Sequence, residues 1–237
     1  MEAEQPRPRY SFKEGAILLI DKPKTWTSFD VVNKIRYKLK HKLGVKKIKV
    51  GHSGTLDPMA TGLLVICTGK FTKKLQSLQG LPKTYTGTIK LGVTTPSYDA
   101  ETEVDGTYPI HHIDDALLDK TRQQFLGEIQ QIPPMFSAIK VDGKPLYKRA
   151  RKGEHVEIQP RTVTINKFDF TSIDLPNLEF EIECSKGTYI RSIANDYGKA
   201  LNSGGYLTSL RRTTIGDFRI EEAWNLENFI QYLEEEY

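Results

Sequence analysis

The 237-residue chain has only two cysteines, Cys67 and Cys184, and they lie far apart in the sequence. Neither is accompanied by cysteines and histidines at the spacing of a zinc site, so no metal is indicated. A disulfide between the two is open as an interpretation. Free thiols that are buried in a reducing cytoplasm are the favoured one.

Long hydrophobic runs are also missing. A membrane helix needs roughly 20 apolar residues, and the longest runs here, residues 16–20 and 63–67, are only as long as strands. The N-terminal MEAEQPRPRY has no apolar stretch of the kind that secretory signals contain. These absences predict a cytoplasmic globular protein with no membrane partner, and the prolines and charges at the N-terminus predict disorder over residues 1–14.

The excess of positive over negative charge is small, with a formal net charge of +4, but positive charge is concentrated in one segment. The basic segment, residues 33–50, reads NKIRYKLKHKLGVKKIKV and contains no acid. Its cations are Lys34, Arg36, Lys38, Lys40, Lys42, Lys46, Lys47 and Lys49. Such a block suits a polyanion, and a solvated helix face with a lysine-rich loop explains it equally well.

Hydrophobic periodicity predicts an α+β fold. Helices are predicted near 27–44, 114–127, 146–152, 188–201 and 225–233, and strands near 15–21, 85–91, 137–141, 162–170 and 178–184. The predicted apolar face of the first helix consists of Phe29, Val32, Ile35, Leu39 and Leu43. In the last strand apolar residues alternate with glutamates, which predicts a mixed or antiparallel sheet with one solvated face. Because no repeat or linker is visible, a single domain over 15–237 is predicted.

The chemistry concentrates in residues 51–64, GHSGTLDPMATGLL. Glycines permit backbone conformations that other residues avoid, and Pro58 disfavours a helix at Asp57. Asp57 is therefore predicted on an extended, rigid stretch, where a lone carboxylate can serve as a nucleophile or base. Taken alone, the pattern favours a simpler interpretation, in which Asp57 caps a helix that begins at Pro58.

As a whole, this segment resembles the catalytic motif of the TruB-type pseudouridine synthases, which modify the T-loop uridine of tRNA, uridine 55. Other segments resemble the family in the same order: LIDKP at 19–23, KTY at 83–85, QIPPMFSAIK at 131–140, KPLY at 144–147, CSKGTYIRSI at 184–193 and LRR at 210–212. The resemblance covers residues 15–218. It implies the pseudouridine synthase core, a mixed, largely antiparallel sheet with flanking helices and a central active-site cleft.

The resemblance also implies catalytic roles. Asp57 becomes the indispensable group of a reaction that uses neither cofactor nor metal, and its addition to the sugar or base, or abstraction of the sugar 2′ proton, stays open. Arg191 is the implied partner, because a guanidinium beside a carboxylate holds it in place and keeps it ionised. Tyr85 is implied to stack on the target base and shuttle a proton. Without the resemblance, Arg191 indicates a salt bridge or phosphate contact, and Tyr85 a core aromatic.

Four more residues are implied in substrate binding. Tyr189 would line the pocket, and Leu210 would give the uracil an apolar wall or a backbone contact. Lys22 would stabilise the active-site loop or contact RNA. His52 would support the gap left by the target base, since a base inside a folded loop must be flipped out to be reached. Taken alone, such a histidine or leucine is more often structural.

The basic segment and the cluster KRARK at 148–152 then become candidate phosphate contacts for the T-arm of tRNA. Many relatives carry a C-terminal RNA-binding PUA domain, for which the residues after LRR leave no room. A stand-alone, bacterial-type monomer without guide RNA is therefore expected. The alternatives are an RNA chaperone that has lost the chemistry, a hydrolase that uses Asp57 with His52, and a guided synthase acting on ribosomal RNA.

Overall fold

The computed structural model describes residues 10–154, 156–235 and 237. They form two compact units. The first contains the described residues up to Leu81 together with Thr214–Tyr237, and the second is Pro82–Thr213. The sequence predicted one domain over 15–237, and that the two units fold as one stays a prediction.

The secondary-structure elements follow one another without long gaps. The first unit begins with β1 (Ile17–Lys22), α1 (Ser28–Lys42), β2 (Val50–His52), β3 (Thr61–Thr68), a 3-10 segment (Gly69–Lys74) and α2 (Leu75–Gly80). The second contains β4 (Lys83–Leu91), β5 (Val93–Thr94), β6 (Gly106–Thr107), α3 (Asp115–Gln123), β7 (Gly127–Gln131), β8 (Lys140–Val141), β9 (Lys144–Pro145), α4 (Leu146–Ala150), β10 (Arg161–Asp174), β11 (Asn177–Cys184), α5 (Ile190–Ala200) and most of β12 (Gly205–Ile215). The first unit ends with β13 (Phe218–Arg219), a 3-10 segment (Ile220–Glu222), β14 (Trp224–Asn225) and α6 (Leu226–Glu235).

In the first unit, β1 lies between β14 and β3. Strand β2 pairs with the end of β3, where His52 lies opposite Ile66 and Val50 opposite Thr68. The β1–β14 pair is parallel, whereas β1–β3 and β2–β3 are antiparallel. Helices α1 and α6 cover the sheet, and their buried side chains form one apolar core with β1 and β3. This arrangement fixes the ends of β2 and β3, between which Asp57 lies.

Residues 10–14 pack against this core, which corrects the expectation of disorder for that part of 1–14. Phe12 is fully buried and stacks on Tyr10, with ring centroids 5.3 Å apart. The Trp224 indole N–H donates to the Tyr10 hydroxyl at 3.0 Å. The two aromatic rings provide apolar area for burial that the residues before them lack. Residues 1–9 of the prediction lie outside the described residues.

Helix α1 starts with a capping box. Asp30 N–H donates to Thr27 Oγ1 at 3.0 Å, and Thr27 N–H donates to the Asp30 carboxylate at 2.9 Å. The buried side consists of Ser28, Val31, Val32, Ile35 and Leu39. The inward placement of Phe29 was wrong, because its side chain is 61% exposed. An apolar spacing of three and four fits two adjacent stripes, and Ser28, not Phe29, turns inward to hydrogen-bond the chain.

In the second unit, antiparallel strands run in the order β4, β11, β10, β7, with β12 on the other side of β4. The helix predicted near 188–201 is confirmed as α5, and its apolar residues are all buried: Ile190, Ile193, Ala194, Tyr197 and Leu201. The predicted helix over 114–127 is shorter, since α3 ends at Gln123 and Gly127, with φ of +80°, opens β7. The α+β fold class with largely antiparallel pairing is confirmed.

Both cysteines are free and buried, as predicted. Among the described residues, none of the helices has the length and apolar character needed to span a bilayer. Within the same residues, no group of three or more histidines, cysteines and acids is placed to hold a metal ion.

Candidate active site

Asp57 lies in the catalytic loop, defined here as residues 53–60, between β2 and β3. The backbone at Asp57 is neither helix nor strand, and a turn at Pro58 and Met59 leads directly into β3. The helix-cap interpretation of Asp57 is therefore wrong. Ser53 N–H donates to the Val65 carbonyl at 2.8 Å, and Ala60 N–H donates to the Asp57 carbonyl at 3.1 Å. These bonds fasten the loop at both ends and leave the Asp57 side chain half-buried.

Ser28, at the start of α1, fixes the residue before Asp57. Leu56 N–H donates to Ser28 Oγ at 2.8 Å, and the Ser28 hydroxyl lies 3.1 Å from the Leu56 carbonyl, to which it donates. Both residues are buried. Hydrogen bonds between buried groups are worth about 1 kcal/mol each and are costly to leave unmade. The position of Asp57 is thus tied to the N-terminus of α1.

Lys22 links the turn after β1 to the catalytic loop. Its fully buried ammonium donates to the carbonyls of Trp26 at 2.6 Å, Pro23 at 2.9 Å and Pro58 at 3.4 Å. An ammonium has three donors, and these carbonyls draw the turn after β1 against the residue that follows Asp57. Of the two roles expected of Lys22, loop support fits this geometry. A direct RNA contact does not, because the group is inaccessible.

The turn held by Lys22 contains a strained residue. Thr25 has a φ of 72°, and its N–H donates to the Pro58 carbonyl at 2.8 Å. A β-branched residue rarely adopts positive φ, and such strain costs on the order of 1–3 kcal/mol. The strained conformation is the one that aims this N–H at the catalytic loop.

Arg191 lies in the first turn of α5 and is 3% exposed. Its Nη1 donates to the Ser97 carbonyl at 2.9 Å, and its Nη2 donates to the Phe136 carbonyl at 2.8 Å. Its Nε lies 3.5 Å from Oδ2 of Asp99. The guanidinium is therefore oriented from several sides within the second unit. Its pairing with Asp57 of the first unit stays a prediction.

Asp99 is a buried carboxylate that the sequence analysis missed. It sits in the Asp99 loop, residues 95–102, where its Oδ1 accepts from the Ser97 hydroxyl at 2.6 Å and from Glu101 N–H at 2.9 Å. Thr95 Oγ1 donates to the Asp99 carbonyl at 2.7 Å. Tyr98, between the two groups that hold Arg191, has a φ of 63°. Its carbonyl accepts from Leu207 N–H of β12 at 3.0 Å, which fastens the loop to the strand that carries Leu210.

The other predicted site residues fall into both units. Tyr85 is buried in β4, and the half-buried Leu210 lies in β12, the neighbouring strand. Tyr189 precedes α5, and its backbone N–H and carbonyl bond the Gln131 side chain at 2.8 and 3.1 Å. His52 ends β2 in the first unit, opposite Ile66 of β3. The structure thus places Tyr85, Leu210, Tyr189 and Arg191 in the second unit, and Asp57, His52 and Lys22 in the first.

Two buried cations lie near each other here, Lys83 at the start of the Tyr85 strand β4 and Arg212 in β12. Burial and the neighbouring Arg212 lower the pKa of Lys83 to about 8. Arg212 itself is fully buried. Cys184 of β11 lies opposite Lys83, and burial of its thiol raises the pKa of Cys184 to about 11. Paired buried cations create a positive potential that favours an anionic group nearby.

Arg161 was also missed by the sequence analysis. Its guanidinium lies over the Tyr189 ring, 4.7 Å from the ring centroid. Arginine stacked on an aromatic face is held by cation–π attraction. Arg161 and Gln131 together fix Tyr189, and neither has a local sequence pattern that would have singled it out.

Residues 40–190 match the TruB family pseudouridylate synthase (N-terminal domain). The chain belongs to the TruB family. The tRNA pseudouridine synthase B of Flavobacterium johnsoniae is 58% identical over 224 residues, which cover 94% of this chain and 98% of that relative. The protein of the same name from Phocaeicola vulgatus is 54% identical over 226 residues, or 95% of this chain and 96% of that one.

Solved structures share the fold of this chain. A chain of a Cbf5-Nop10-Gar1 complex superposes with a TM-score of 0.70 at 26% identity, covering 98% of this TruB family chain. A chain of an H/ACA RNP bound to a substrate RNA containing 2′-deoxyuridine gives a TM-score of 0.67 at 25% identity, covering 93%. The present chain spans 61% and 54%, respectively, of those two chains.

The basic segment of this TruB family chain divides into two parts. In the helical part, Arg36 donates to Asn33 at 2.7 Å and to the Val50 carbonyl at 2.9 Å. Lys38 forms an ion pair with Glu234, and Lys42 donates to the Glu234 carbonyl at 3.0 Å. These cations serve contacts inside the first unit, which the charge pattern alone did not reveal.

The second part of the basic segment is exposed. Lys47 and Lys49 line a groove of about 350 Å³, together with Lys13, Lys70 and Lys73. In the KRARK cluster, by contrast, Arg149 pairs with Asp142 at 3.2 Å and Arg151 with Glu101 at 2.8 Å. In the groove, Lys70 pairs with Glu14 at 2.6 Å. The exposed Lys13, Lys47, Lys49 and Lys73 are therefore better candidates for phosphate contacts than the paired arginines.

Proposed function

We propose that this TruB family chain is a tRNA pseudouridine synthase that isomerises the T-loop uridine, uridine 55, by base flipping. The observation that carries the proposal is a carboxylate, Asp57, held on a loop that Ser28 and Lys22 fasten through the residues on either side of it. The full-length similarity to relatives named tRNA pseudouridine synthase B supports the substrate class. Neither a cofactor nor a guide RNA enters the proposed reaction.

The reaction breaks the C1′–N1 bond of uridine, turns the uracil and forms a C1′–C5 bond. The C5 proton is then lost and N1 takes up a proton, so the product is an isomer of uridine. Asp57 adds to the sugar, adds to the base or removes the sugar 2′ proton. In each of these routes the carboxylate must be ionised and close to the glycosidic bond. A loop fixed before the substrate arrives reduces the entropy that must be lost to reach this geometry.

We assign the remaining roles from the residues around the two loops. Arg191, oriented by Asp99 and two carbonyls, would pair with Asp57 and keep it ionised. Tyr85 would stack on the flipped uracil and Leu210 would form an apolar wall beside it, since their strands are neighbours. Tyr189 would line the pocket, and His52 would fill the space that the base leaves.

The partner is the T-arm of tRNA, bound largely through phosphates by the exposed lysines of the basic groove. Phosphate contacts give affinity and salt dependence but no base choice. The protein would act as a monomer in the cytoplasm, where its tRNA substrate is found.

The test is pseudouridine mapping on an unmodified tRNA transcript incubated with the protein and no other component. The wild type is expected to produce one pseudouridine, in the T-loop. Asp57→Asn is expected to bind the transcript but form no product, whereas Asp115→Asn, at an exposed carboxylate of α3, should behave as the wild type. Tight binding without product by the wild type would overturn the proposal in favour of an RNA chaperone or a guided enzyme. Product from Asp57→Asn would overturn the role of Asp57.

A further inference from the structure

Phe29 is the most exposed large hydrophobic side chain among the residues that the structure describes, at 61%. Single exposed apolar residues are common on protein surfaces, so exposure alone carries no function. The position of Phe29 is what distinguishes it. It directly follows Ser28, whose hydroxyl holds the backbone of Leu56, the residue before Asp57.

Phe29 also lies on the side of α1 from which Arg36 reaches strand β2. At about 100° per residue, Phe29, Asn33 and Arg36 fall within an arc of about 60° on the helix surface. Arg36 donates Nη2 to the Val50 carbonyl of β2 at 2.9 Å, so this side of α1 faces β2. Strand β2 ends at His52 and leads into the catalytic loop. The Phe29 ring is therefore an exposed aromatic surface one residue along the chain from the Ser28 contact with the loop that carries Asp57.

We propose that Phe29 is a stacking platform for a base of the RNA that flanks the flipped uridine. This inference rests on the proposed function and adds a substrate contact to it. A phenyl ring has no hydrogen-bonding group and accepts the face of any base, with a stacking energy of about 1–3 kcal/mol. A nucleotide next to a flipped base has lost one stacking neighbour, which an aromatic side chain can replace.

The charges around Phe29 favour RNA over a protein as the occupant. Lys40 lies about 20° around the helix from Phe29, on the same side as Arg36. A protein-binding site would need a wider apolar patch, of several hundred Å², whereas the neighbours of Phe29 on this side are an amide and two cations. A base on the ring with its phosphates near the cations satisfies both features.

Tyr37 provides a matched control on the same helix. It is 59% exposed, but it lies about 80° around the helix from Phe29. Its ring packs against His41, with centroids 4.1 Å apart. Truncation of either side chain removes an exposed aromatic ring from α1, and only the loss of Phe29 is expected to affect RNA.

The test measures the dissociation constant of a T-arm hairpin for wild type, Phe29→Ala, Phe29→Leu, Phe29→Trp and Tyr37→Ala. Phe29→Ala and Phe29→Leu are expected to weaken binding by about 5- to 100-fold, the equivalent of one lost stack. Phe29→Trp should bind as well as the wild type, and Tyr37→Ala should stay within about twofold. Thermal unfolding should be unchanged throughout, since Phe29 lies outside the core.

Hairpins with single abasic sites identify the stacked nucleotide. At that nucleotide, loss of the base and loss of the Phe29 ring should not add, because each removes the same contact. Full affinity of Phe29→Leu would overturn the proposal, since a leucine cannot stack. Equal losses in Phe29→Ala and Tyr37→Ala, or additivity at every abasic site, would also overturn it.

Failure of the stacking proposal can be distinguished from failure of the proposed enzymatic function. If the wild type forms no pseudouridine, the proposed function fails, and the stacking proposal is still judged by the hairpin affinities. If the wild type forms pseudouridine and Phe29→Ala equals it in affinity and single-turnover rate, only the stacking proposal fails. A phenylalanine that served a protein partner would give this second result.

Discussion

Each unit contains a buried cation that organises a loop, and the two cations hold different kinds of segment. Lys22 in the first unit donates to three backbone carbonyls. Arg191 in the second donates to two carbonyls and lies 3.5 Å from the Asp99 carboxylate. The three carbonyls belong to the turn after β1 and to the catalytic loop, so Lys22 holds these two segments of the chain together. The carboxylate beside Arg191 helps to orient the guanidinium, which suits a group that must meet a substrate.

The catalytic loop and the Asp99 loop are each associated with a residue at positive φ whose side chain disfavours that conformation. Of the four such non-glycine residues in the described chain, Asp142 and Asn202 are of types that tolerate this conformation. Thr25 and Tyr98 are not. Thr25 hydrogen-bonds the catalytic loop from outside it, and Tyr98 lies within the Asp99 loop. Backbone strain of this kind persists where the surrounding structure enforces it, often at functional sites.

The largest effect is expected from Lys22→Met, which removes the donor of three carbonyls around a buried site. Unfilled buried acceptors cost about 1–3 kcal/mol each, partly relieved by relaxation, so the free energy of unfolding should fall by about 3 kcal/mol. Chemical denaturation measures this, with Lys24→Met at an exposed position as the control. A loss below about 1 kcal/mol would mean that the carbonyls find other donors, and the contrast with Arg191 would disappear.

Asp99→Asn should affect turnover in place of stability. The amide keeps the shape of the side chain but removes the charge opposite Arg191. We expect kcat to fall about 100-fold, or about 2.7 kcal/mol, with a Kd for tRNA within a few-fold of the wild type. Asp105→Asn, at an exposed carboxylate bonded to Thr94, is the matched control. A weakened Kd with unchanged kcat would show that Asp99 serves binding and not the orientation of Arg191.

Tyr98 separates backbone strain from side-chain contacts. Asn and Val are similar in size and both lack the ring, but Asn tolerates positive φ and a β-branched residue does not. Tyr98→Asn should keep kcat within about threefold, and Tyr98→Val should lower it about tenfold, the equivalent of about 1.4 kcal/mol. Single-turnover rates measure both. Equal losses in the two variants would assign the effect to the missing ring.

The smallest effect, and the only stabilising one, is expected from Thr25→Gly. Glycine adopts positive φ without strain, and this gain exceeds its cost in the unfolded state, so unfolding should cost about 1 kcal/mol more. Turnover should be unchanged, because the N–H to the Pro58 carbonyl remains. Thr25→Ala, which keeps Cβ, should gain less than glycine in the same denaturation experiment. A destabilised Thr25→Gly would mean that the threonine side chain itself is needed.

The elements that the sequence predicted well have one strong periodicity. Strand β11 alternates without exception and α5 keeps its apolar residues on one face, so both were placed nearly to the residue. Strand β12, YLTSLRR in its middle, mixes polar and apolar residues on both faces and was missed. Phe29 was misplaced because two stripes on α1 fit the apolar spacing, and the choice between them depends on the Ser28 contact with Leu56.

Site residues could be predicted from the sequence only where they lie in a motif that resembles the family. Asp57 and Arg191 were found through the family resemblance, whereas Ser28 and Asp99 were not. Ser28 bonds a residue 28 positions away, and Arg191 bonds the Asp99 loop 94 positions away. Contacts of this range leave no local pattern, because they depend on how helices and strands pack.

The two buried thiols have a practical consequence. Cys67 lies in β3 of the first unit and Cys184 in β11 of the second, and burial raises the pKa of each. Since the thiolate is the reactive form, an alkylating reagent reaches neither until the surrounding structure opens. Each unit therefore contains one cysteine whose alkylation reports the opening of that unit. Mass spectrometry after timed alkylation would record when each unit opens, with no label to introduce.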